Sequence, residues 1–383
     1  LTAALALARN GHSVTVLERA EVIEEVGAGL QLSPNATSIY RDLGILDRLM
    51  RFALSPEILR VRRARDAVEL MSLPYGALAE LRWGAPHLVI HRADLQRVLL
   101  EAAASEPAIT LKTGTSVLGF AASSEGIQVG GRMGAINVRF DGDVLIGADG
   151  LNSAVRERLG LGEGDRPIYS GRTAWRAMLP AGDAPREALV LETNLWLGPK
   201  AHLVHYPLRS GEVVNIVAIV EDPWQGGDGD FWQQEGDTRF LRARYGDWSQ
   251  QARALIDAVP EWRRWPLFDR MSVPRWSVDR VVLMGDAAHP LLPFLAQGAC
   301  MAVEDAAAFT KAVAENGRNI NAAIARYEKE RMPRAAEMRM ASRRQGAIYH
   351  MGGPLAFARD FVMKRTSREG LMARMDWIYR YRA

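Results

Sequence analysis

Two apolar runs far apart in the chain end alike. DVLIGADG (143–150) reaches Asp149-Gly150, and RVVLMGDAAHP (280–290) reaches Gly285-Asp286, each with a helix expected beyond it. Continuous apolar runs of this length fit strands of a parallel sheet buried on both faces. Ligands of open α/β sheets collect at the carboxyl ends of such strands. HRADLQ (91–96) sets Arg92 before a third expected helix, and another helix should start near Gln297-Gly298. A carboxylate such as Asp286 suits sugar or ribityl hydroxyls, backbone N–H groups at Gly298 suit an anionic oxygen, and Arg92 suits a pyrophosphate. Asp beside Gly more often only caps a turn. The recurrence after separate strands favours a binding role over that plain one.

The amino end adds half of a further unit. Residues 1–10 read as a helix stopped by Gly11, and SVTVL (13–17) as a short strand ending at Glu18. Helix, glycine, strand and terminal acid match the second half of a βαβ dinucleotide-binding unit, with Glu18 on a ribose hydroxyl. No complete G-x-G-x-x-G occurs in the sequence, and residue 1 is not Met. The first strand and its glycine loop are therefore expected upstream of residue 1.

Composition narrows the class. A net charge of +3 on 383 residues gives no reason to expect a nucleic-acid partner. One cysteine, Cys300, excludes an internal disulfide framework and any multi-cysteine metal site, and a cytoplasmic setting is the default. No apolar run is long enough to span a membrane. The basic residues concentrate between Arg326 and Arg382, which reads as a solvated or subunit-facing helical surface.

Residues 109–146 read as short strands, 188–221 as three β-rich runs with RSGE (209–212) turning between the last two, and the sequence beyond Asp279 as a strand followed by helices. The expected architecture is α/β. A Rossmann-like domain (1–60, 91–165, 279–345), lacking its first strand and glycine loop, carries an inserted antiparallel-sheet domain (61–90, 166–278) and a C-terminal helical region (346–383).

GAGLQLSPNA (27–36), HRADL (91–95), GADG (147–150) and GDAAHPLLPFLAQGACMAVEDA (285–306) together resemble the class A flavoprotein monooxygenases, the para-hydroxybenzoate hydroxylase-like family. Within it, the likeness is to salicylate hydroxylase, 3-hydroxybenzoate 6-hydroxylase and 6-hydroxynicotinate 3-monooxygenase. The resemblance implies FAD, NADH or NADPH as co-substrate, and O2, with a flavin hydroperoxide delivering oxygen to an activated aromatic ring. It implies that Glu18 and Arg19 hold the adenosine end of FAD and that Arg92 and Gln96 approach its pyrophosphate and ribityl region. Asp149 would serve both FAD and NAD(P)H, Asp286 would bind the ribityl chain, and the backbone of Gly298 and Ala299 would face the pyrimidine edge. Pro293 and Phe294 would line the cavity above the flavin, where some relatives carry a polar side chain. Gln31 is a further lining candidate. Relatives are often homodimers.

HLVHYPL (202–208) reads as a strand, so His202 and Tyr206 share one face about 13 Å apart while His205 faces the other way. In the related enzymes a His and a Tyr at this spacing meet the substrate. His202 is accordingly assigned as base toward a ring hydroxyl and Tyr206 as an orienting hydrogen-bonder; without the resemblance, both would read as decoration of a half-buried strand. The opposed faces disfavour a His-x-x-His metal site. His289 reads as a loop-fixing residue and Cys300 as packing. The expected activity is hydroxylation of a small phenolic aromatic, with a hydroxybenzoate-like carboxylate favoured. The alternatives are a same-fold epoxidase or hydroxylase of a non-phenolic substrate, which needs no base, and a non-catalytic flavin-binding protein.

Overall fold

The computed structural model describes residues 1–23, 28–223 and 234–383. Of the sequence motifs, Gly27 at the start of GAGLQLSPNA lies outside the described residues.

The helix Thr2–Arg9 stops before Gly11, whose φ of +85° suits a residue without a Cβ, and leads into the strand Val14–Leu17. That strand pairs in parallel with Ile109–Lys112, and Leu145–Gly147 pairs in parallel with Val281–Leu283. Both apolar runs singled out in the sequence are therefore neighbours, and their carboxyl ends lie side by side. Gly147 permits this, because a Cβ there would stand 2.8 Å from Val155 and 2.9 Å from Leu283.

A separate eight-stranded sheet runs in the order Gln234–Gly236, Trp262–Asp269, Ile168–Pro180, Val213–Glu221, Ala201–Leu208, Glu192–Gly198, Ile58–Arg63, Glu69–Pro74. Every pairing is antiparallel except one: Glu192–Gly198 runs parallel to Ile58–Arg63. The expectation of a purely antiparallel sheet is corrected at that pair, because the strand arrives from a distant part of the chain rather than through a hairpin. This strand also crosses the boundary expected at residues 60 and 61.

The sheet has two covered faces. Trp175, Trp196, Leu203, Ala218 and Trp262 pack on the far side with Leu241 and Leu255 of the helices Thr238–Arg244 and Gln250–Ala258. The near face carries His202, Val204 and Tyr206 and meets the loop after Val281–Leu283 and the long helix Ile320–Tyr349. The chain ends in the helices Gly353–Arg365 and Arg368–Tyr379.

Most of the C-terminal basic residues lie exposed, as expected, but a few turn inward. Arg331 is fully buried and bonds Glu304 and Asp305, Arg334 bonds Glu304, Arg339 and Arg343 bond Asp269, and Arg359 bonds Asp360. Apart from Asp360, which is next to Arg359, these acidic partners lie elsewhere in the chain, so local charge counting could not pair them.

Candidate active site

The wall nearest the parallel strands is built from three motif segments. Asp286 follows Val281–Leu283 in a short 3-10 turn, and its Oδ1 lies 4.0 Å from where a Gly298 Cβ would stand, at the start of the helix Gly298–Asn316. Its side chain is exposed, yet the surrounding protein is dense enough that burial raises its pKa above the usual carboxylate value, against the pull of His289 and Arg92. Both properties belong to a group on the wall of a deep cleft. An acceptor recessed in this way, beside Arg92 and the backbone at Gly298 and Ala299, fits the polyhydroxylated chain of a flavin nucleotide.

The loop bearing Asp286 is held from behind. Arg156 is buried and donates to the carbonyls of Ala287 and Ala288 at 2.8 and 2.7 Å while pairing with Asp165. His289 Nε2 meets Asp305 Oδ2 at 2.5 Å, and Gly285 N donates to the same carboxylate at 2.9 Å. Burial alone would raise the Asp305 pKa, but His289 and Arg331 hold it well below the usual range. His289 thus fixes the loop, as its setting in the sequence suggested. Cys300 is buried, accepts from Ser33 N and Oγ, and has its pKa pushed up to about 11 by burial, consistent with packing.

Other motif residues stand apart from this wall or serve it indirectly. The Asp149 carboxylate accepts from Ser153 Oγ and, at 3.1 Å, from Val155 N, so it braces the start of the helix Ala154–Leu159. Glu18 ends the strand Val14–Leu17 and accepts from Ala20 N at 2.8 Å, beside exposed Arg19. Gln96 is half-buried on the helix Arg92–Ala104, and Gln31 is half-buried on Gly29–Leu32. Asp94 on the same helix as Gln96 is buried and accepts from Arg209 at 3.0 Å, tying this helix to the turn of the large sheet.

On the sheet face, His202 is paired across to Ile219 and Ala174, Val204 to Val217 and Arg176, and Tyr206 to Asn215 and Met178. His202 and Tyr206 are both almost completely buried, whereas Val204, Val217 and Arg176 between them are only half-buried. His205 lies on the opposite face, stacked on Trp196, with its pKa lowered to about 3 by burial. Tyr206 reaches the first motif: a Cβ on Gly29 would stand 2.6 Å from its hydroxyl and 2.5 Å from Asn215 Cγ, and Gly29 N donates to Asn215 Oδ1. Gly29→Ala is expected to cost about 1–3 kcal/mol through overpacking, read as a lowered denaturation midpoint.

His202 ends the face against Phe294 (5.7 Å between centroids), Tyr349 and His350. Phe294 follows half-buried Pro293 and is itself buried, locked against Gly346 and under the Arg172 guanidinium at 5.1 Å. Burial first, then the charges of His350 and Arg172, hold the His202 pKa well below its usual value. Arg176 is a third basic group here, with its pKa lowered by burial. Among the described residues its guanidinium makes no hydrogen bond or ion pair, only a stacking contact over Trp265 at 5.3 Å. Sequence reading missed Arg176, Arg172 and His350. Alternation along 172–178 places the first two on the face of Ala174, whereas nothing local marks His350.

Fold and site together describe a flavin-binding oxygenase of the kind that pairs a dinucleotide domain with a substrate sheet. Residues 1–342 match the family model described as FAD binding domain, and the chain belongs to that family. It is 34% identical to 3-hydroxybenzoate 6-hydroxylase of Klebsiella oxytoca over 98% of this chain and 92% of that protein. The enzyme of the same name from Polaromonas naphthalenivorans (strain CJ2) is 36% identical, covering 99% and 92%. Among solved structures, a salicylate hydroxylase substrate complex superposes with a TM-score of 0.81 at 25% identity, over 100% of this chain and 92% of that one. The chain is a FAD-dependent monooxygenase of the aromatic hydroxylase type.

Proposed function

We propose that the enzyme hydroxylates a small phenolic ring bearing a carboxylate, with NADH or NADPH and O2 as co-substrates. The observation that carries this is the near sheet face. A half-buried apolar floor, Val204 and Val217, lies between a neutral imidazole, a tyrosine hydroxyl and a cation without a hydrogen-bonding partner among the described residues. Arg176 sits two strands across from Val204, about 10 Å at normal strand spacing, which its long side chain and that of His202 can bridge around one ring. FAD, held by Arg92, Asp286 and the backbone at Gly298 and Ala299, with Glu18 and Arg19 toward the adenosine, supplies the oxygen-activating chemistry. Asp149 supports that site through the helix it caps. His202, kept neutral by burial, accepts the ring hydroxyl proton and so makes the ring electron-rich. Tyr206 orients the ring, Phe294 closes the His202 end against water, and Arg176 receives the carboxylate.

The resemblance to hydroxybenzoate hydroxylases supports the phenolic acid class. We also infer a cytoplasmic homodimer. The single cysteine supports the compartment, and exposed Leu355, Phe357 and Phe361 on Gly353–Arg365 support the seam.

The test is nicotinamide oxidation coupled to hydroxylated product across a panel of phenols with and without a carboxylate, using FAD-loaded enzyme. Arg176→Gln is expected to raise KM for carboxylated phenols by about 10–100-fold, the value of one charged hydrogen bond, with little change for uncarboxylated ones. Equal changes for both groups would remove Arg176 from the carboxylate role. No product from any phenol would sink the assignment itself.

A further inference from the structure

Behind His202 lies a line of hydrogen bonds that substrate binding does not use. His202 Nδ1 meets His350 Nε2 at 2.8 Å, and His350 Nδ1 meets Glu221 Oε1 at 3.2 Å. The two histidines are buried, while the Glu221 side chain is 35% exposed. The three residues come from different places: His202 from the central strand, Glu221 from the neighbouring one, and His350 from the end of the helix Ile320–Tyr349. The His350 carbonyl accepts from Lys200 N at 3.0 Å, which anchors this position to the sheet.

We propose that His350 and Glu221 form a proton relay that both sets the tautomer of His202 and carries its proton to solvent. The proposal rests on His202 being the base. An ionised carboxylate only accepts, so Glu221 requires the proton of His350 on Nδ1. His350 Nε2 is then an acceptor, which requires the proton of His202 on Nδ1 and leaves Nε2 of His202 with a free lone pair. Among the described residues no hydrogen bond engages that Nε2. The carboxylate at the surface thereby prepares the buried imidazole to accept a proton.

Transfer follows the same line. The phenol O–H bond breaks and its proton goes to His202 Nε2. The Nδ1 proton of His202 passes to His350 Nε2, that of His350 Nδ1 passes to Glu221, and the carboxyl releases it to water. No electrons are exchanged, and no net charge is left on either imidazole. The reverse sequence resets both tautomers when the product oxyanion is reprotonated. The groups facing the relay suit this passage of a proton without a resting imidazolium. Arg172 bears on both histidines and lies 3.7 Å from Glu221, and Arg244 bears on His350, whose pKa is lowered to about 4 by burial against the pull of Glu221. Tyr349 packs on the His202 ring, and Tyr245 donates to the His202 carbonyl, fixing the ring's position rather than its charge.

The experiment uses FAD-loaded, oxidised enzyme without nicotinamide and 3-hydroxy-4-nitrobenzoate, a phenol whose ionisation is visible as nitrophenolate absorbance. Stopped-flow mixing below the probe's solution pKa reads the rate of phenolate formation, and titration reads its Kd. In the wild type, bound phenolate is expected, and His202→Asn should abolish it. Glu221→Gln should slow phenolate formation by about tenfold or more, within the range of acid–base contributions, with Kd nearly unchanged. Glu221→Asp should recover part of the rate. His350→Gln should match Glu221→Gln if it folds. A Glu221→Gln rate within about twofold of wild type, beside a dead His202→Asn, overturns the relay and leaves the base assignment standing. Absence of phenolate in the wild type overturns the proposed function and the relay with it.

Discussion

His202→Ala is expected to lower hydroxylation of a phenolic acid by about 10²–10⁴-fold, the usual contribution of a positioned acid–base group. The substitution removes the acceptor for the ring proton and leaves Arg176, Tyr206 and the Asp286 wall in place. The loss should therefore fall on kcat, with FAD content retained. As pH approaches the substrate's own phenolic pKa, solution supplies the phenolate and the defect should shrink. A turnover within a few-fold of wild type at neutral pH would mean that the ring needs no base, as in an epoxidase on the same fold. The measurement is product formation against pH for both proteins, with the ratio of product to nicotinamide oxidised as the second reading. Without a ring made electron-rich, that ratio should fall.

Arg331→Met is expected to destabilise the protein by about 3–5 kcal/mol, the range for breaking a buried ion pair from one side. Arg331 is fully buried, donates to Asp305 Oδ1 at 2.7 Å and Glu304 Oε2 at 2.6 Å, and reaches the Met301 carbonyl. Removing it leaves two buried carboxylates with fewer partners, although Arg334 and Asn35 still hold Glu304 and His289 still holds Asp305. The denaturation midpoint reports the loss. Adding Asp305→Asn to Arg331→Met should cost less than the sum of the single changes, because the unpaired charge is gone. The pH dependence has a definite sign. The folded Asp305 pKa lies below the unfolded one, so its stabilisation is present above about pH 4 and is lost as pH falls through the folded value. With Arg331 gone the folded pKa rises, and acid unfolding should begin at a higher pH. Unchanged stability would show that the remaining partners suffice.

Much of the fold was legible because it is written in local patterns. The apolar runs at 144–147 and 281–284 read as strands with glycines and carboxylates at their ends, and the structure places strands at Leu145–Gly147 and Val281–Leu283. The alternation in 202–208 placed His202 and Tyr206 on one face and His205 on the other. The Asp149 contacts show the limit of such reading, because a carboxylate beside Gly150 serves a ligand or caps a helix with the same local sequence. Asp94 at the start of a helix shows the same limit, because its buried bond is to Arg209 in a turn 115 residues away.

What the sequence by itself determined is therefore the list of strands, their faces and the chemistry at their ends. These depend on side-chain period and on glycine, which act over a few residues. Only the tertiary structure decided which groups meet. It paired Ile58–Arg63 in parallel with Glu192–Gly198, turned Arg331 of the long C-terminal helix inward onto Glu304 and Asp305, and brought His350 against His202. Burial makes each of these meetings consequential, since a charge or imidazole removed from water needs a partner, and that partner can come from any part of the chain.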